Sequence, residues 1–312
     1  MRYLRSYPFG IQLLQFVLLA LSLLFVAGLL GSRLVASIYH INPNDIQNIT
    51  INSPIQLVQA AIWEQGFTSI VAFLLPGLLF AYLAHPKPNL YLGLTPPTKN
   101  IQWLLVLFVM LGAMPVLVLI DELFALIPLS AEWQKTQQLN DNIMKAFFNM
   151  PQFSDFVKIL FVMAVVPAVA EEVLYRGIIL RFAKKHAINM IFPIGFTAIV
   201  FALSHLNVTG LFSIFLAGVL LGTIYNLTGS LWCSIFAHFF FNGFQIFLAF
   251  FGKENKTVQA FLENDSIVSV IPYAIAGIII FSVSFYLLWK HKTPLPSNWT
   301  QDFTEEELKQ KD

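Results

Sequence analysis

Glu171, Glu172 and Arg176 place two carboxylates and a guanidinium within six residues of a long apolar run. A charged side chain in hydrocarbon costs at least about 2.5–3.5 kcal/mol. These three groups must therefore be compensated by one another or by groups on neighbouring segments. On a helix, Glu172 and Arg176 lie four apart on one face and can pair. Glu171 is turned about 100° away and lines up with Tyr175 instead. One carboxylate is thus neutralised within its own helix, and the other is left to face a different segment. A Glu–Arg pair alone reads as a structural device; the unpaired carboxylate is harder to assign to packing.

Two further patterns follow, Phe201-x-x-x-His205 and His238-x-x-x-Asn242, each with its outer members on one helical face. Imidazole and amide groups in a membrane interior face the bundle rather than lipid. Taken singly, either histidine reads equally well as a hydrogen-bonding residue of the packing. Together, a free carboxylate, two histidines and an asparagine on three helices have the composition of an active site. Hydrolysis of a peptide bond needs a base for water, donors for the oxyanion and a proton for the leaving amine. Glu171 is the candidate base, with His205 holding the water. His238 and Asn242 are the candidate oxyanion donors. A competing version places a divalent metal such as zinc among Glu171, His205 and His238, a usual catalytic ligand set. The sequence has no His-Glu-x-x-His element, which weakens the metal version without removing it.

The elements that carry these residues belong to a membrane protein. The chain has 312 residues, 57% hydrophobic and 11% charged, against about 25% charged in soluble domains. The net charge of +1 gives no sign of a nucleic-acid partner. Cys233 is the one cysteine, which excludes an internal disulfide and a cysteine metal cluster; in an apolar segment it reads as an inert buried thiol. The predicted fold is an all-α polytopic membrane bundle. About eight spans are expected, near 9–30, 67–84, 101–120, 156–181, 188–206, 210–227, 230–251 and 268–289. The apolar run after Arg2 and Arg5 exceeds the core of a signal peptide and reads as a retained span. With the N-terminus inside, eleven Lys and Arg residues fall in inner segments and five in outer ones. That bias predicts N-in and C-in.

Between the spans, Ile55 to Trp63 is expected to form a short interfacial helix. The proline-rich stretch 85–100 is expected to be an irregular connection. The outer segment 121–152 begins with Asp121 and Glu122 and holds a polar helix from Glu132 to Phe148. The tail after Pro294 is charged and is expected to be solvated. Counting from a turn near Ala187, Glu171 and His205 come out level, at about 24 and 27 Å. His238 lies only about 13 Å past its own inner turn. Two adjustments would remove that mismatch: the fourth helix projects at Arg181–Lys185, or the turn near Asn207–Gly210 dips inward.

Glu171-Glu172-x-x-x-Arg176, Phe201-x-x-x-His205 and His238-x-x-x-Asn242, in this order, resemble the three motifs of the CPBP family. These are the intramembrane CAAX-prenyl-protease and bacteriocin-processing (Abi) proteins. The resemblance covers about 75 residues, 171–242. It implies a glutamate-dependent endopeptidase, often called a metalloprotease, with Glu171 and His205 activating water. His238 and Asn242 would then serve the oxyanion, and Glu172 and Arg176 would be the supporting pair. On this reading 1–150 is scaffold, 151–252 the catalytic core, 253–293 the last outer loop and final span, and 294–312 a cytoplasmic tail. The implied partner is a peptide or membrane-associated protein, lipidated in the eukaryotic branch, with lipid around it. The expected location is a bacterial inner membrane. The rivals are a non-catalytic peptide- or bacteriocin-binding immunity protein on the same fold, and a transporter. The latter is disfavoured because no repeated halves are visible.

Overall fold

The computed structural model describes residues 3–253, 255, 267–295 and 299. The expected charged tail from residue 300 on, Arg2 and Lys256 lie outside the described residues. Among those described there are ten helices and no strand. They are α1 (Phe9–Tyr39), α2 (Ile55–Ala84), α3 (Pro88–Leu92), α4 (Ile101–Ala125) and α5 (Ala131–Phe148). Then come α6 (Phe153–Lys184), α7 (Ile191–Ser204), α8 (Leu211–Thr228), α9 (Leu231–Phe251) and α10 (Ile267–Lys290). Seven are long and apolar enough to cross a membrane, so the protein is an integral membrane protein. Leu14, Leu18, Leu21 and Phe25 of α1, and Ile275, Ile279 and Val283 of α10, point outward. Outward apolar side chains on long helices suit lipid rather than water as the surrounding solvent.

The expected fifth span, 188–206, is only the 14-residue α7. At 1.5 Å per residue that is about 21 Å, short of a hydrocarbon core of about 30 Å. Local chemistry sets both of its ends. Asn189 Oδ1 accepts the Ile191 N–H at 3.0 Å at the start. Leu206 turns into the left-handed region (φ +50°) directly after His205 and stops the helix. The α7–α8 turn is thereby drawn inward to the level of Glu171, which itself lies about 20 Å from the Lys184 end of α6. An inward dip of this turn was one of the two adjustments open at the sequence level.

Three other expectations are corrected. The interfacial helix and the second span are one helix, Ile55–Ala84, continuous through a π-helical turn at Ser69–Leu74. Asp121 and Glu122 are not loop residues: α4 runs on to Ala125, and Asp121 accepts a hydrogen bond from Ser213 of α8. The 85–100 connection contains α3 and packs as a floor beneath the bundle. Tyr91 and Leu92 are buried, Gly93 O accepts the Leu231 N–H at 2.8 Å, and Tyr91 O accepts from Arg181 Nη2 at 2.8 Å.

Close helix packing rests on small residues. On α4 and α10, a Cβ added at Gly112 would lie 2.4 Å from Phe281 N, and one at Gly277 would lie 2.6 Å from Gly112 O. The two backbones touch only because neither residue has a side chain. The start of α1 and the stretch after α10 pack at one end of the bundle: Phe9 packs on Phe182 and His186 at the end of α6, and Thr293 N–H bonds to Leu227 O at the end of α8, at 2.7 Å.

Candidate active site

α6 carries the acidic residues, and its backbone is not uniform there. π-helical turns at Phe161–Val165 and Val173–Ile179 bracket the α-helical segment Val166–Glu172. Such turns are concentrated at functional sites. Pro167 supplies no N–H for the Met163 carbonyl four residues back. The Asn242 side-chain amide of α9 donates to that carbonyl at 3.3 Å.

Glu172 is fully buried and Arg176 1% exposed. The predicted pair is formed, with Arg176 Nη1 donating to Glu172 Oε1 at 2.6 Å. His238 Nδ1 donates to the same oxygen at 3.0 Å, and Ser234 Oγ donates to Oε2 at 2.6 Å. Arg176 Nη2 donates to the Gly218 carbonyl at 3.0 Å. The small residue at this point lets α8 lie close to α7, because a Cβ at Gly218 would sit 3.1 Å from Ala198. Glu172 thus binds α6 to α9, and Arg176 binds α6 to α8. A charge network satisfied to this degree is compatible with burial; a single unpaired member would not be.

Glu171 faces the other way, as the helical spacing predicts. Its Oε2 is buried and has no hydrogen-bond partner. His205 Nε2 lies 3.7 Å from it and His238 Nε2 4.0 Å. Both are too long for a direct hydrogen bond, and both suit a molecule bridging between the groups. The opposite ring nitrogens are fixed: His205 Nδ1 lies 2.8 Å from the Phe201 carbonyl, and His238 Nδ1 lies on Glu172. A carbonyl or carboxylate oxygen only accepts, so each Nδ1 carries the proton and each Nε2 points at Glu171. The Phe201 ring is the hub of this arrangement. It packs 4.6 Å from His205, 5.8 Å from His238 and 5.1 Å from Tyr175. The Arg176 guanidinium lies 4.7 Å above it.

The structure therefore brings Glu171, Glu172, Arg176, His205 and His238 into one cluster. Asn242 stands one turn beyond, against the α6 bulge. Sequence reasoning missed Ser234, Ser204 and the Gly218 carbonyl. Ser234 had a signal, since it lies one helical turn before His238 on the same face. Gly218 had none, because it acts through its backbone.

Ligands on one tetrahedral zinc at about 2.0–2.1 Å lie about 3.3 Å apart. The two separations from Glu171 are wider, and no group of three or more His, Cys, Asp or Glu among the described residues could hold a metal ion. As placed, the set does not fit one.

Residues 153–244 match the family model described as Type II CAAX prenyl endopeptidase Rce1-like, consistent with the CPBP family. This is a protease family, and the matched segment runs from the start of α6 into α9. It contains every residue of the cluster. No curated protein and no solved structure matches the chain.

Proposed function

We propose that this protein is an intramembrane endopeptidase in which Glu171 activates water for attack on a peptide bond. The observation that carries the reading is the placement of Glu171 Oε2: buried, without a partner, and faced by two imidazole Nε2 atoms at 3.7 and 4.0 Å. The family match over 153–244 supports a peptidase at the level of family.

A water between Glu171 and His205 donates one hydrogen to the carboxylate and one to the unprotonated Nε2 of His205. Its oxygen attacks the scissile carbonyl carbon, and its proton passes to Glu171. The oxyanion that forms is met by His238 Nε2, whose ring the Glu172 carboxylate holds in place through Nδ1. The Asn242 amide, which has a second N–H, is a donor to the oxyanion. When the intermediate collapses, the C–N bond breaks and the leaving amine takes the proton from Glu171. The products are a free carboxyl and a free amine, and the Glu171 carboxylate is restored. Glu172 and Arg176 take no proton; they hold His238 and the helices in place. The substrate is a peptide or protein reached from the membrane, with the chain ends on the cytoplasmic side of a cell membrane. A lipidated tail is one substrate feature to test.

The test compares wild type with Glu171→Gln in detergent, on quenched-fluorescent peptides with and without a lipidated tail, before and after exhaustive chelation. Wild type should cleave, and the variant should lose about 1,000-fold in turnover while staying folded. Cleavage retained by the variant overturns Glu171 as base. Loss of wild-type cleavage on chelation, restored by zinc, replaces this mechanism with the metal version.

A further inference from the structure

His205 and His238 are held very differently. His238 lies in the middle of α9, with 5% of its side chain exposed and its Nδ1 on a buried carboxylate. His205 caps the end of α7, and 32% of its side chain is exposed. Its Nδ1 reaches only the carbonyl of its own last turn, Phe201 O, and the left-handed Leu206 follows at once. Helix ends fray, and nothing within this turn fixes the imidazole relative to Glu171 on another helix.

A link from α6 supplies that fixation. Tyr175 is buried and stands one turn below Glu171 on the same face. Its hydroxyl donates to Ser204 Oγ at 2.6 Å. With that lone pair occupied, Ser204 Oγ turns its own hydrogen to Phe201 O at 2.7 Å. The Phe201 carbonyl is the same atom that accepts the His205 Nδ1 proton. Ser204 and His205 thus meet on one carbonyl, and the chain that reaches it through Ser204 begins at Tyr175, on the helix that carries Glu171.

We infer that Tyr175 and Ser204 are positioning residues for His205, pinning the last turn of α7 to α6 so that the His205 Nε2 faces Glu171. The inference rests on the proposed peptidase reading, because it gives His205 the task of holding the water. It names a role for a tyrosine that the sequence showed only as the helical neighbour of Glu171. The role needs the hydroxyl and not merely the ring, which packs against Phe201 and Phe73 regardless.

Tyr175→Phe keeps that packing and removes one hydroxyl. It should lower kcat roughly 10- to 100-fold with KM within about twofold, the signature of misaligned chemistry with binding retained. Ser204→Ala should do the same, and the double variant should be no worse than either single one, because one chain has been cut in two places. Ser204→Thr keeps a hydroxyl and should recover most of the rate. A second readout is independent of cleavage. With histidines labelled with nitrogen-15, the His205 resonances should report one Nδ1–H tautomer in wild type and mixed or broadened forms in Tyr175→Phe, with those of His238 unchanged. An unchanged His205 spectrum overturns the inference, as does unchanged kcat in Tyr175→Phe beside a dead Glu171→Gln. Full activity in Glu171→Gln instead overturns the peptidase mechanism, and the spectrum then still decides whether Tyr175 positions the ring.

Discussion

Two adjacent glutamates on one helix have opposite environments in this protein. Glu172 accepts from Arg176, His238 and Ser234 and has no exposed surface, so its charge is spent on structure. Glu171, one residue earlier, keeps an oxygen without a partner beside two imidazoles. The 100° step between neighbours on a helix is the whole cause of the difference. Removing Arg176 leaves the Glu172 carboxylate buried with neutral and titratable donors only. Arg176→Ala should cost about 3–5 kcal/mol, seen as a large drop in the melting temperature of the detergent-solubilised protein. A variant as stable as wild type would show that His238 and Ser234 suffice to hold Glu172.

At the scale of elements, α6 and α7 depart from regular spans, and both departures serve the cluster. The π-helical turns of α6 bracket the glutamates, and Pro167 deprives the Met163 carbonyl of its usual donor. Asn242 meets that carbonyl. Asn242→Ala should therefore lower stability by about 1 kcal/mol, the usual scale for a hydrogen bond between membrane helices, and lower turnover as well. A loss of turnover with an unchanged melting temperature would place the amide at the oxyanion and not at the bulge. α7 is short because Leu206 ends it early, and its end brings His205 level with Glu171.

The whole molecule is held by helices in backbone contact and by a packed floor at one end. α4 and α10 meet at Gly112 and Gly277, away from the cluster. Gly277→Val would force side-chain atoms into the Gly112 carbonyl and the Pro115 ring. A melting temperature reduced by the equivalent of about 1–3 kcal/mol is expected, with the catalytic rate of the folded fraction unchanged. An altered rate would mean that the α4–α10 pair communicates with the cluster. The floor is made by the 85–100 connection and by Thr293, which accepts from Gln102 Nε2 at 2.9 Å and donates to Thr228 O at 2.9 Å. These contacts join the ends of α4, α8 and α9, so the proline-rich connection is a structural part rather than a tether.

The sequence by itself determined the class of the fold, the helices that bear the cluster and the pairing of Glu172 with Arg176. All of these follow from composition and from the 3.6-residue period, which are local. It also determined that Glu171 looks away from that pair. It left the depth of His238 unresolved, and it divided Ile55–Ala84 into two elements, because continuity through a π-helical turn has no periodic signal. The short reach of α7 was hidden as well, since an apolar run looks like a span until a left-handed residue ends it. Only the tertiary structure decided that His238 bridges the two glutamates, with Nδ1 on one and Nε2 towards the other. It also decided that Ser234, Ser204 and the Gly218 carbonyl complete the cluster. Those contacts join residues that are distant in the chain, and their partners are set by where whole helices cross. No spacing within one segment encodes that.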